Sequence, residues 1–150
     1  MPALIIFGRV LFAALFIYSG ATQLFAIQAT ADAIAGKVII PAEIAPYTAQ
    51  LESAASMQLP QMLAIISGVF LVIAGLMIAL NFGVRLFATL LIIYVALVTF
   101  YFHDFWNQSP PANGRTLVEA LKNLSLIGAL FMLVGYGRGR KMIEPAYGDV

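Results

Sequence analysis

The chain has 150 residues, 62% of them apolar and only 10% charged, where a soluble domain carries about 25% charged residues. Eight Lys and Arg stand against seven Asp and Glu for a net charge of +1, too little to neutralise nucleic-acid phosphates, and nucleic acid is excluded as a partner. With no cysteine and one histidine, His103, the chain excludes disulfides, thiolate ligation and paired imidazoles, so neither a metal site nor an intrinsic cofactor is expected.

In chain order, four stretches reach the roughly 20 apolar residues that a bilayer core demands. The first runs over about 3–27 and is interrupted by Arg9 and the mild polars Ser19, Thr22 and Gln23. It is longer than the apolar core of a cleaved signal, no basic residue precedes it and Arg9 lies inside it, so it is expected to be a retained span. The segment from Gln28 to Pro60 follows, long for a helix connection, with the apolar run Val38-Ile39-Ile40 and a helix-compatible stretch from Tyr47 to Met57. It is expected to be a long outer loop that lies on the membrane or folds back over the bundle. The second span covers about 61–80, the third about 84–102 and the fourth about 117–136. The expectation is one all-α domain over 1–150, a polytopic four-transmembrane-helix bundle.

Arg85 after the link Asn81-Phe82-Gly83, and Arg138, Arg140 and Lys141 after the fourth span, mark one side. The opposite side has Lys37 and Arg115 among acidic residues. The positive-inside rule then places both termini in the cytoplasm.

The first and third spans align without gaps from Arg9–Tyr18 to Arg85–Tyr94, identical at four of ten positions. The second and fourth share a glycine spacing, Gly68 with Gly75 and Gly128 with Gly135. Seven residues are two helical turns, so Gly68 and Gly128 are each expected on a face where a neighbouring backbone approaches closely. Two copies of a helical hairpin would leave a binding cavity at the midline.

Few residues could carry chemistry. Arg9 is either an interface anchor that snorkels, mirrored by Arg85, or the partner of an anion inside the bundle. At the outer end Gln23, His103, Trp106, Glu119, Lys122 and Asn123 are expected at one membrane depth. Glu119, Lys122 and Asn123 share a helix flank. Each also has a structural explanation: Thr116 with Glu119 fits a capping box, Lys122 neutralises Glu119, Asn123 joins two helices, and Trp106 belongs to an interfacial belt. His103 beside Asp104 could handle protons at neutral pH, although adjacent helical residues do not face each other.

The start Gly8-Arg9-Val10-Leu11-Phe12, Ser19-Gly20, Ser67-Gly68, Gly75, the phrase Phe102-His103-Asp104-Phe105-Trp106 and Lys122-Asn123-Leu124 with Gly128 resemble the landmarks of the DoxX family of small prokaryotic membrane proteins. That resemblance implies a four-helix membrane bundle of the prokaryotic inner (plasma) membrane. It also implies links to sulfur-compound oxidation, quinone-coupled redox chemistry and oxidative-stress complexes. Many relatives have a Lys where Gln23 stands and a Glu near Ala64, and this chain has neither ionisable group. Two functions are weighed. The first is a redox-associated protein that holds a quinone-like or other amphipathic ligand through Gln23, His103, Lys122 and Asn123, with Trp106 as an apolar wall and a partner protein as electron carrier. The second is a non-catalytic accessory subunit packed against other membrane subunits.

Overall fold

The computed structural model describes residues 2–38, 41, 43–110 and 112–136. Among them are six α-helices and no strand: α1 Pro2–Phe25, α2 Ile27–Ala35, α3 Ala45–Ala55, α4 Leu59–Ala79, α5 Val84–Phe102 and α6 Ala112–Tyr136, with a 3-10 turn at Phe105–Asn107. Four of these, α1, α4, α5 and α6, are long and apolar enough to cross a membrane. The architecture is an all-α, four-span bundle, as its composition requires: in lipid a helix satisfies every backbone group within its own segment.

The connection between the first two spans is not the loop expected from its length. The chain kinks at Ala26 and runs on as α2, with Ala26 N–H still donating to the Thr22 carbonyl at 3.0 Å. The helix then packs along α4 and buries Ala31. This is the fold-back over the bundle; of the apolar run Val38-Ile39-Ile40, residues 39 and 40 lie outside the described residues. The helix expected near 47–57 forms as α3, whose Glu52 carboxylate accepts the Leu59 N–H at 2.7 Å. A carboxylate there meets both an otherwise unpaired donor and the positive end of the α4 dipole. Pro60 in the first turn costs nothing, since its missing N–H has no intrahelical acceptor.

Between α4 and α5 the chain reverses within four residues. Asn81 (φ +60°) and Gly83 (φ +56°) are left-handed, a conformation that Asn and Gly tolerate best. Phe82 N–H reaches back to the Met77 carbonyl at 2.8 Å and closes the turn.

The spans pair as α1 with α4 and α5 with α6, and α4 packs on α5 to join the pairs. The core is a single cluster fed by all four spans: Ala13 and Phe16 from α1, Leu71, Ala74 and Ile78 from α4, Ala88, Leu91 and Val95 from α5, and Leu130 from α6. Outward faces carry large apolar side chains, among them Leu11, Ile66, Leu97 and Phe131, which suits lipid contact.

Small residues set the α1–α4 approach. A Cβ added at Gly20 would lie 2.5 Å from the Gly68 carbonyl oxygen and 2.9 Å from Leu71 Cβ. One at Gly75 would lie 2.7 Å from Ile17 Cγ1 and 3.1 Å from the Ala13 oxygen. Gly68 therefore sits at a close crossing, as its spacing suggested. Gly128 does not: it is exposed on α6, and an added Cβ there would meet nothing within 4 Å. The two hairpins thus share their helix pairing but not the faces they pack, because a glycine spacing records a smooth helix side without recording what covers it.

Candidate functional site

A cavity of about 570 Å3 lies at the end of the bundle where α2 folds back, walled by α1, α4 and α5 and roofed by Thr30, Ala33, Ile34 and Val38 from α2 and the chain just after it. Its walls are almost wholly apolar, with Phe70, Leu63, Val98 and Phe102 among them. Ile66 and Leu97 line it yet remain more than half exposed, so the space opens between α4 and α5 onto the lipid-facing surface.

Its polar groups are neutral and linked across three helices. Ser67 Oγ on α4 donates to Gln23 Oε1 on α1 at 2.9 Å, and Gln23 Nε2 donates to the Tyr94 hydroxyl on α5 at 3.3 Å. The Ser67 hydroxyl also lies 3.1 Å from the Ala64 carbonyl. Ser67 thus links the Gln23 side chain on α1 with the backbone of its own helix at Ala64. An uncharged hydrogen-bond chain stands there, with no ion to desolvate. Tyr94 accepts from Gln23, so its own proton has no acceptor among the described residues. If the amide is turned the other way, Tyr94 donates and one amide N–H is left over instead. Either arrangement offers the cavity at least one donor.

A second polar chain straps the roof. Lys37, just after α2, pairs with Asp104 beyond α5 at 3.1 Å. Gln108 Nε2 donates to the same carboxylate oxygen at 3.2 Å, and Thr116 Oγ1 on α6 donates to Gln108 Oε1 at 2.6 Å. The Lys37 hydrogen bond first, then the Gln108 hydrogen bond and the Lys37 charge, outweigh desolvation and hold the Asp104 carboxyl below the usual carboxylate range.

The residues expected to converge are divided by this geometry. Gln23 faces the cavity. Lys122 lies on exposed α6 and pairs with Glu119 at 2.8 Å, and neither they nor the half-buried Asn123 lines the space, because no part of α6 does. His103 ends α5, its N–H donating to the Thr99 carbonyl at 3.0 Å, within electrostatic range of Glu119. Asp104 turns to Lys37, so the adjacent pair forms no oriented imidazole–carboxylate unit. Trp106 is half exposed and tilted against Phe100, with ring centroids 5.7 Å apart. The capping box at Thr116 is also absent: α6 begins at Ala112, which puts Thr116 and Glu119 inside the helix, and Glu119 turns to Lys122. These residues lie near the same end of the spans but not on one side of the bundle.

Sequence reasoning passed over Ser67 and Tyr94 as site residues. Their signal was present: a hydroxyl well inside an apolar span asks for a partner on another helix. Arg9, half-buried at the opposite end, lines a separate cavity.

Comparison with known proteins agrees with this architecture. The DoxX family profile matches residues 4–104, which takes in Gln23, Ser67, Tyr94 and Asp104 but stops before α6. Inner membrane protein YphA of Escherichia coli (strain K12) is 32% identical over 92 residues, 61% of this chain and 66% of that relative. No solved structure is significantly similar. With four membrane-spanning helices and a family profile that covers three of them, the chain is a multi-pass membrane protein that belongs to the DoxX family.

Proposed function

We propose that this protein is an inner-membrane component with a redox-associated role, which holds a quinone-like or other amphipathic ligand in the cavity beneath α2. One observation carries the reading: the neutral Ser67–Gln23–Tyr94 chain stands on the wall of an otherwise apolar space of about 570 Å3. Ligand sites typically enclose about 300–1,000 Å3 and orient their occupant with a few polar groups. A quinone head group is flat, apolar and capped by two carbonyl acceptors; a spare Tyr or amide donor suits one of them, and Phe70 and Phe102 suit its faces. The opening toward lipid lets a membrane-dissolved molecule enter without crossing water. Electrons would come from a redox partner protein, since the chain has no cysteine and one histidine. The Lys and Arg bias supports cytoplasmic termini and hence an outer-leaflet cavity, and the name of the relative YphA supports the inner membrane.

The test is a titration with decylubiquinone in mild detergent. Gln23→Leu or Tyr94→Phe should weaken binding about tenfold, the worth of one net hydrogen bond of about 1.4 kcal/mol. Lys122→Met, away from the cavity, should bind as wild type does. Equal affinity in all of them would reject the reading. The exposed Gly128 on α6 favours a second reading, a non-catalytic accessory subunit whose α6 packs on another membrane protein. Stoichiometric copurification with such a subunit, lost in Gly128→Leu, would favour that role.

A further inference from the structure

We infer that the end of the bundle opposite α2 holds the head group and upper acyl chain of one anionic phospholipid, with Arg9 as its phosphate contact. The backbones of α1 and α6 do not approach one another, and between them lies a cavity of about 690 Å3. Polar residues line one end: Arg9, Asn81 in the α4–α5 link, and Tyr136, the last described residue of α6. The remainder is apolar, with Phe12, Ala129 and Met132. Among the described residues no carboxylate lines the cavity, and Arg9 has neither an ion pair nor a hydrogen bond.

The depths match a lipid. Asn81 lies just beyond the end of its span and Tyr136 at the end of its own, both at head-group level. Arg9 is six residues inside the first span, about 9 Å at 1.5 Å rise per residue, so its guanidinium must reach outward to that level. The next turn brings Phe12, and α6 runs from Tyr136 inward through Met132 to Ala129. Charge at the rim and apolar wall below repeat the order of a phospholipid. A basic pocket between spanning helices is a recurrent way to hold such a head group. A snorkelling anchor would not need the cavity.

The experiment measures the thermal midpoint of the purified full chain in neutral detergent with dihexanoyl phosphatidylglycerol, dihexanoyl phosphatidylcholine or inorganic phosphate at matched concentrations. Phosphatidylglycerol should raise the midpoint well above the other two. Arg9→Gln should weaken that response about fivefold, Arg9→Lys should keep most of it, and Ala129→Phe, which fills the apolar part and leaves the cation, should abolish it. Helical circular dichroism checks that each variant folds. If a variant fails to fold, the wild-type comparison of the three probes still decides. Equal shifts with phosphatidylcholine would overturn the anionic specificity, and an equal shift with inorganic phosphate would reassign the site to a free anion. Full phosphatidylglycerol response in folded Arg9→Gln would also overturn the proposal.

Discussion

Gly20→Ala is the sharpest perturbation of the α1–α4 seam. The new methyl would sit 2.5 Å from the Gly68 oxygen, 2.9 Å from Leu71 Cβ and 2.9 Å from Val72 Cγ2. None of these can swing aside: one is backbone, one is a Cβ, and the third belongs to a β-branched side chain with a stiff χ1. The helices must therefore separate, at an overpacking cost near the upper end of about 1–3 kcal/mol. Helix propensity returns up to about 1 kcal/mol for Gly to Ala, which leaves a net loss of about 2 kcal/mol. For a chain of this size that lowers the melting midpoint by about 4–8 °C. Gly75→Ala and Gly68→Ala should cost less, because their nearest contacts are the Ile17 and Leu24 side chains and the backbone oxygens of Ala13 and Gly20 stand back at 3.1 Å. Gly128→Ala meets nothing within 4 Å and should leave the midpoint unchanged or slightly raised. Thermal unfolding of the four variants in one detergent measures the series. A Gly20→Ala midpoint equal to that of Gly128→Ala would refute the close crossing.

Other outcomes follow from the same contacts. Tyr94→Phe strands the Gln23 amide in a part-buried site and should destabilise the fold by about 1–3 kcal/mol, whereas the double variant with Gln23→Leu should recover most of that loss in thermal unfolding. Asp104 titrates below its ordinary value of 3.8 because Lys37 favours the carboxylate. The stability it adds is therefore fully present above 3.8 and fades as pH falls through the lower folded value, so the midpoint difference between wild type and Asp104→Asn should be constant near neutrality and vanish in strong acid. For orientation, Lys37→Cys or Arg115→Cys in this cysteine-free chain should react with an impermeant thiol reagent on intact cells, and Lys141→Cys should not; the reverse pattern would invert the topology.

What the sequence by itself determined was the membrane solution. Four apolar stretches of spanning length can satisfy their backbones in lipid only as helices, so number, type and approximate limits of the spans followed from composition and length. The turn at Asn81–Gly83 was visible as a short polar link, and the phrases around Arg9, Ser67 and His103 carried the family resemblance. Only the tertiary structure decided which side of each span faces a neighbour. In a soluble helix the polar side points outward and the buried face can be read from the pattern; in lipid both sides are apolar, and Gly68 and Gly128 look alike in sequence although one is pressed against α1 and the other is bare. The same blindness hid the cavity. Gln23, Ser67 and Tyr94 are separated by up to 71 residues along the chain; only the packing of α4 against both α1 and α5 brings their short-range hydrogen bonds into one place, and only the kink at Ala26, which lays α2 over α4, roofs the space beside them.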